Sequence, residues 1–77
     1  MNVSELLNSG SKTLKQSKIK THQLDSELVL SSLLKKQREN LLTNSNEKVS
    51  KNIIYNFEKL IVRRAKREPL AYILKKK

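Results

Sequence analysis

Seventy-seven residues, 36% of them apolar and 4% aromatic, carry a formal net charge of +10 and no Cys. A chain of this length makes one domain at most, around a small core. The lack of Cys excludes disulfides and zinc fingers and fits a cytoplasmic setting; no apolar run approaches the roughly 18 residues of a membrane span, and no export signal opens the chain.

Asn2-Val3-Ser4-Glu5 fits a capping box, with Asn2 as N-cap and Glu5 three residues on. Val3, Leu6, Leu7 and Leu14 then share one helical stripe, which predicts a first helix over 3–17. Gly10 lies in its middle, at a cost of about 1 kcal/mol against Ala. It reads either as a weak point or as the place where a neighbouring helix comes close, and the second is favoured. Thr21 is the expected N-cap of a second helix over 22–34. Its apolar residues Leu24, Leu28, Val29, Leu30, Leu33 and Leu34 cover much of the wheel, which belongs in the middle of a bundle. Asp25 and Glu27 sit in its first turns, where the helix dipole favours negative charge. A short third helix is expected over 37–43 with Leu41 and Leu42 inward, and Asn44-Ser45-Asn46 forms a turn.

Val49 and Ser50 open the longest helix, over 51–67, with Ser50 as N-cap and Val49 stapled to Ile54. At about 100° per residue, Ile53, Ile54, Phe57, Leu60, Ile61 and Ala65 fill one arc, and Lys59, Arg63 and Lys66 lie opposite. Arg64 falls inside the apolar arc. A buried guanidinium must be paired, so a structural ion pair between Arg64 and one or both of Asp25 and Glu27 is expected, in preference to a partner-binding role. Pro69 stops the helix, and Leu70 to Leu74, with Tyr72 and Ile73, read as an extended segment over 69–74. A lone strand has unpaired edges, so the chain reads as the first part of something longer. The expectation is an all-α fold, a small four- to five-helix bundle over 1–68, with a linker to a further domain beginning in 69–77.

Charge is unevenly placed: residues 1–47 carry seven Lys/Arg against five acids, net +2, and residues 48–77 carry ten against two, net +8. That asymmetry favours an acidic partner, protein or nucleic acid, over a basic face that is merely solvated. Catalytic residues, cofactor-binding residues and metal ligands are expected to be none. His22 is the lone histidine and reads as a surface imidazole; one His without Cys makes no zinc site or nucleophile–base pair. The one glycine rules out a Gly-rich phosphate loop. Asp25 and Glu27, two apart on a helix, point in different directions and make no acid–base pair.

Leu24-Asp25-Ser26-Glu27-Leu28-Val29-Leu30, Arg38-Glu39-Asn40-Leu41-Leu42 and the run Arg63-Arg64 to Glu68-Pro69-Leu70-Ala71-Tyr72-Ile73 carry a resemblance. In register from about Leu24 to Leu74, they resemble the N-terminal domain and domain junction of the HemK/PrmC release-factor glutamine methyltransferases. The resemblance implies a helical bundle joined by a β-hairpin to a Rossmann-like domain. That second domain binds S-adenosylmethionine and grips the substrate amide with an Asn-Pro-Pro-Tyr motif that these 77 residues lack. It implies methylation of the Gly-Gly-Gln glutamine of peptide chain release factors, in support of translation termination. The partners would then be a release factor and the protein's own catalytic domain. Lys59, Arg63 and Lys66 are the expected partner-binding rim. One departure stands out: Lys75 occupies a position where the family usually has Gly.

Two rival readings belong to other classes. A small basic nucleic-acid-binding helical protein would use phosphate neutralisation, with affinity falling steeply as salt rises; few aromatics are available to stack on bases. A self-standing interaction domain would instead add its apolar tail to a partner's sheet.

Overall fold

A computed structural model describes residues 1–74, and the position of Lys75 lies outside them. Five helices follow in order: α1 Val3–Gln16, α2 His22–Leu34, α3 Arg38–Thr43, α4 Lys51–Ala65 and α5 Leu70–Ile73. The fold is an all-α bundle. α2 is its centre, packing on α1, α3 and α4, while α1 also meets α4 and α5 closes the end of α4.

Local chemistry sets the starts of the helices. The Asn2 side chain accepts from the Glu5 N–H at 2.8 Å and the Glu5 carboxylate accepts from the Asn2 N–H at 2.9 Å, so two otherwise orphaned donors are satisfied. Ser50 caps α4 through the Ile53 N–H at 3.3 Å. Thr21 precedes α2 without such a bond; its hydroxyl donates instead to Asp25 Oδ2 at 3.0 Å. Gln37, expected inside the third helix, is its N-cap.

The helix ends follow a pattern that the sequence hides. α1, α2 and α4 each close with paired backbone bonds: Ile19 N–H to Leu14 C=O with Lys18 to Lys15, Lys36 to Ser31 with Lys35 to Ser32, and Glu68 to Arg63 with Arg67 to Arg64. This is the Schellman closure, which requires one left-handed residue. Lys18, Lys35 and Arg67 take that role at φ 63°, 57° and 71°. Glycine adopts this conformation without strain, whereas an L side chain costs about 1–2 kcal/mol. Lys35→Gly is therefore expected to stabilise the fold by about 0.5 kcal/mol, net of the greater freedom of Gly in the unfolded chain. Thermal unfolding reads this as a rise of a few degrees; an unchanged or lower midpoint refutes strain at this turn.

The core gathers Val3, Leu6 and Leu14 from α1, Ile19 from the following turn, Val29 and Leu30 from α2, Leu41 from α3, and Phe57 and Ile61 from α4. Ser26, fully buried, donates its hydroxyl to the Leu7 carbonyl at 2.9 Å. Gly10 lies at the meeting of three helices: a Cβ there would stand 2.5 Å from Phe57 Cζ and 2.7 Å from Ser26 Oγ. The glycine is thus a close-approach site. The N-terminus is tied down as well. Val3 and Ser4 N–H groups donate to the carbonyls of Glu47 and Ser45, Val49 N–H donates to Met1, and Asn2 and Lys48 form an antiparallel bridge.

Four expectations need correction. Residues 70–73 are one helical turn, not an extended segment. As a turn, Leu70, Ile73 and Leu74 share a face at i, i+3 and i+4 and pack on the bundle, with Ile73 buried. A strand would split them between two faces and leave its edges unpaired. The fourth helix ends at Ala65, two residues short of 67, because Arg67 turns left-handed. Leu42 is 57% exposed while Leu41 is buried; a six-residue helix packed on one neighbour buries one stripe, and adjacent residues are about 100° apart. His22 is half-buried, its Nδ1 2.6 Å from the Ser11 hydroxyl, and joins α2 to α1.

Candidate protein-recognition face

α4 presents the candidate site on the side away from its core arc. Tyr55, Glu58, Lys59, Val62 and Arg63 line a shallow groove of about 380 Å³. Tyr55 is 61% and Val62 48% exposed, large apolar groups that lie one above the other because two helical turns separate them. Lys59 lies between them, its Nζ 5.2 Å from the centre of the Tyr55 ring, within range of a cation–π contact. Lys66 extends the same side beyond the groove and is exposed. An apolar centre with a charged border, Lys59 and Arg63 beside Glu58, has the make-up of a protein-recognition patch, where aromatic residues supply hot spots and charged rims set association rate and specificity.

Of the three rim residues expected from sequence, the structure places Lys59 and Arg63 on this groove and Lys66 one turn further on. Arg63 is not a free cation, since Nη2 lies 2.8 Å from Glu68 Oε1. Tyr55 and Val62 did not enter the sequence reading of the site. Their signal was available: two apolar residues seven apart on the polar side of α4, with Lys59 between them.

Behind the face, Arg64 points into the bundle. Its Nε donates to Asp25 Oδ2 at 2.9 Å and its Nη1 to the Glu68 carbonyl at 2.8 Å. The Arg64 and Asp25 side chains are 20% and 5% exposed. Glu27 is not Arg64's partner. It accepts from Nε and Nη2 of Arg38 at 3.1 and 3.0 Å, because its different direction on α2 faces α3. Arg67 Nη2 reaches the Ser17 carbonyl at 3.1 Å. The end of α4 is therefore bound to α2 and to the end of α1, which fixes the groove relative to the core.

His22 meets Ser11, but among the described hydrogen bonds no carboxylate orients the ring, as a nucleophile–base pair needs. The single glycine is packed against Phe57 inside the bundle. Among the described residues no group of three His, Cys, Asp or Glu could hold a metal, and no helix is long and apolar enough to cross a membrane.

Comparisons with known proteins agree with this organisation. The family model of the PrmC N-terminal domain matches residues 5–74. A bifunctional methyltransferase of Rickettsia felis is 36% identical over 72 residues, which cover 94% of this chain and 14% of that protein. Those of Rickettsia typhi and Rickettsia conorii are 35% and 34% identical over 71 residues, 92% of this chain. The chain thus spans 14% of the length of these curated relatives. No solved structure matches significantly. An all-helical bundle with its central helix tied to the last long one, matched over nearly its whole length, belongs to the PrmC N-terminal domain family.

Proposed function

We propose that this chain is the release-factor-recognising domain of an S-adenosylmethionine-dependent methyltransferase that modifies the glutamine of the release factor's Gly-Gly-Gln tip. Family membership and the larger methyltransferases among its relatives support the reading. The observation that carries it is the exposed apolar centre Tyr55–Val62 on α4, bordered by Lys59, Arg63 and Glu58. In this reading the bundle grips the release factor, and its bound α4–α5 end orients a catalytic part beyond these residues. On the same reading the cofactor is held by that catalytic part.

Binding of purified release factor to the 77-residue chain, followed by calorimetry and stopped flow, tests the proposal. Tyr55→Ala is expected to weaken binding at least tenfold, as loss of a hot spot does. Lys59→Gln is expected to slow association mainly and to flatten its salt dependence. Absence of binding by the wild-type chain, or a Tyr55→Ala variant that binds as wild type, would refute the reading.

A further inference from the structure

We infer that the end of the bundle formed by the α1–α2 turn and the last residues of α4 is a second binding surface, for the phosphate backbone of a duplex nucleic acid. It lies beyond the α4 groove, whose lining residues it does not use, and takes in Lys66 at the edge of that face. Arg67 Nη2 donates to the Ser17 carbonyl, and this bond brings two basic segments side by side. Lys15, Lys18 and Lys20 come from one, Lys66 and Arg67 from the other, and all five are exposed.

No described ion pair neutralises them. Five of the seven acids are engaged elsewhere, Asp25 with Arg64, Glu27 with Arg38, Glu47 with Lys36, Glu68 with Arg63, and Glu5 in the capping box of α1; the other two, Glu39 and Glu58, belong to α3 and to the groove of α4. Helix dipoles leave the balance positive. The C-terminal ends of α1 and α4 each carry about half a negative charge, and the N-terminus of α2 returns about half a positive one. Five cations exceed that sum severalfold. Lys18 and Arg67 are also the left-handed residues of their closures, which holds their backbones, and the Arg67 guanidinium is itself anchored on the Ser17 carbonyl.

The chemistry of this end differs from that of the groove. Of the exposed large apolar side chains, Met1, Leu24, Leu42, Tyr55, Val62 and Tyr72, none belongs to residues 15–20 or 66–67, and Leu24 and Tyr72 are the nearest along the chain. Protein interfaces depend on such anchors, whereas non-specific nucleic-acid binding is carried by phosphate neutralisation alone. A cationic surface without an apolar centre fits the second.

The test is anisotropy titration of labelled duplex RNA and duplex DNA, each about 20 base pairs, with the 77-residue chain between about 50 and 200 mM salt. Each phosphate contact contributes a slope of about −0.9 to log affinity against log salt, so five contacts predict roughly −4.5. A triple variant Lys15→Gln, Lys20→Gln, Lys66→Gln is expected to reduce the slope by roughly 2.7 and to weaken binding more than tenfold at the lower salt. Lys35→Gln with Lys51→Gln, which removes charge elsewhere, is expected to leave the slope unchanged. Equal affinity for both duplexes indicates backbone charge alone as the ligand, and preference for RNA assigns the A-form duplex. Absence of binding to either duplex, equal slopes in the triple variant and wild type, or tighter binding of polyglutamate than of duplex would each overturn the inference, the last in favour of an acidic protein.

Discussion

Arg64→Met is expected to lower the stability of the bundle by about 3 kcal/mol, the lower end of the range for breaking a buried ion pair. The guanidinium joins Asp25 on α2 and the Glu68 carbonyl beyond α4 in one arrangement. Removing it leaves Asp25, 5% exposed, with the Thr21 hydroxyl as its remaining side-chain partner. A domain of this size has roughly 4–11 kcal/mol in total, so the loss is a large share and lowers the thermal midpoint by more than about 10 °C. Asp25→Asn in the Arg64→Met background is expected to recover at least about 1 kcal/mol, since it removes the stranded charge. Arg38→Met is the informative contrast. Arg38 is 45% exposed although the Glu27 side chain is only 9% exposed, and Glu27 lines a cleft with Ser4, Asn8, Ser11 and Gln23, so the cost is expected to be smaller than for Arg64→Met, about 1–2 kcal/mol. If both arginine variants unfold at the same denaturant concentration, the Arg64–Asp25 pair does not secure the bundle.

Gly10→Ala is expected to destabilise by about 2 kcal/mol, although Ala is the better helix former by about 1 kcal/mol. The added methyl would stand 2.5 Å from Phe57 Cζ and 2.7 Å from Ser26 Oγ. Neither neighbour yields cheaply. Phe57 is a rigid ring 1% exposed, and the Ser26 hydroxyl is held by the Leu7 carbonyl in a fully buried site. Overpacking of this kind costs about 1–3 kcal/mol, with α1 pushed away from both neighbours. Asn8→Ala, at an exposed position of the same helix, is expected to be neutral or slightly stabilising. Phe57→Leu, which shortens the group in the way, is expected to show coupling of more than about 0.5 kcal/mol with Gly10→Ala. Additive effects of the two substitutions would mean that the glycine and the ring do not share a contact.

The candidate face was half legible. Lys59, Arg63 and Lys66 lie opposite the apolar arc of α4, and helical periodicity is enough to place them there. Periodicity does not tell which of these cations is already neutralised. Arg63 turned out to be held by Glu68, because the closure after Arg67 folds residue 68 back along the helix. Tyr55 and Val62 became a site only through their exposure beside Lys59, since large apolar residues off the main arc could equally have met another helix.

Sequence alone determined the features that depend on neighbours a few residues away: the capping box at Asn2 and Glu5, the Ser50 cap and the apolar arc that draws Arg64 inward. Each is a short-range contest between side chain and backbone. Tertiary structure decided the rest. Whether Arg64 meets Asp25 or Glu27, whether Leu41 or Leu42 turns in, and whether residues 70–73 coil or extend depends on which apolar surface and which backbone partners lie nearby. The left-handed turns at Lys18, Lys35 and Arg67 belong here too, because packing of the helices forces a conformation that the residues themselves disfavour.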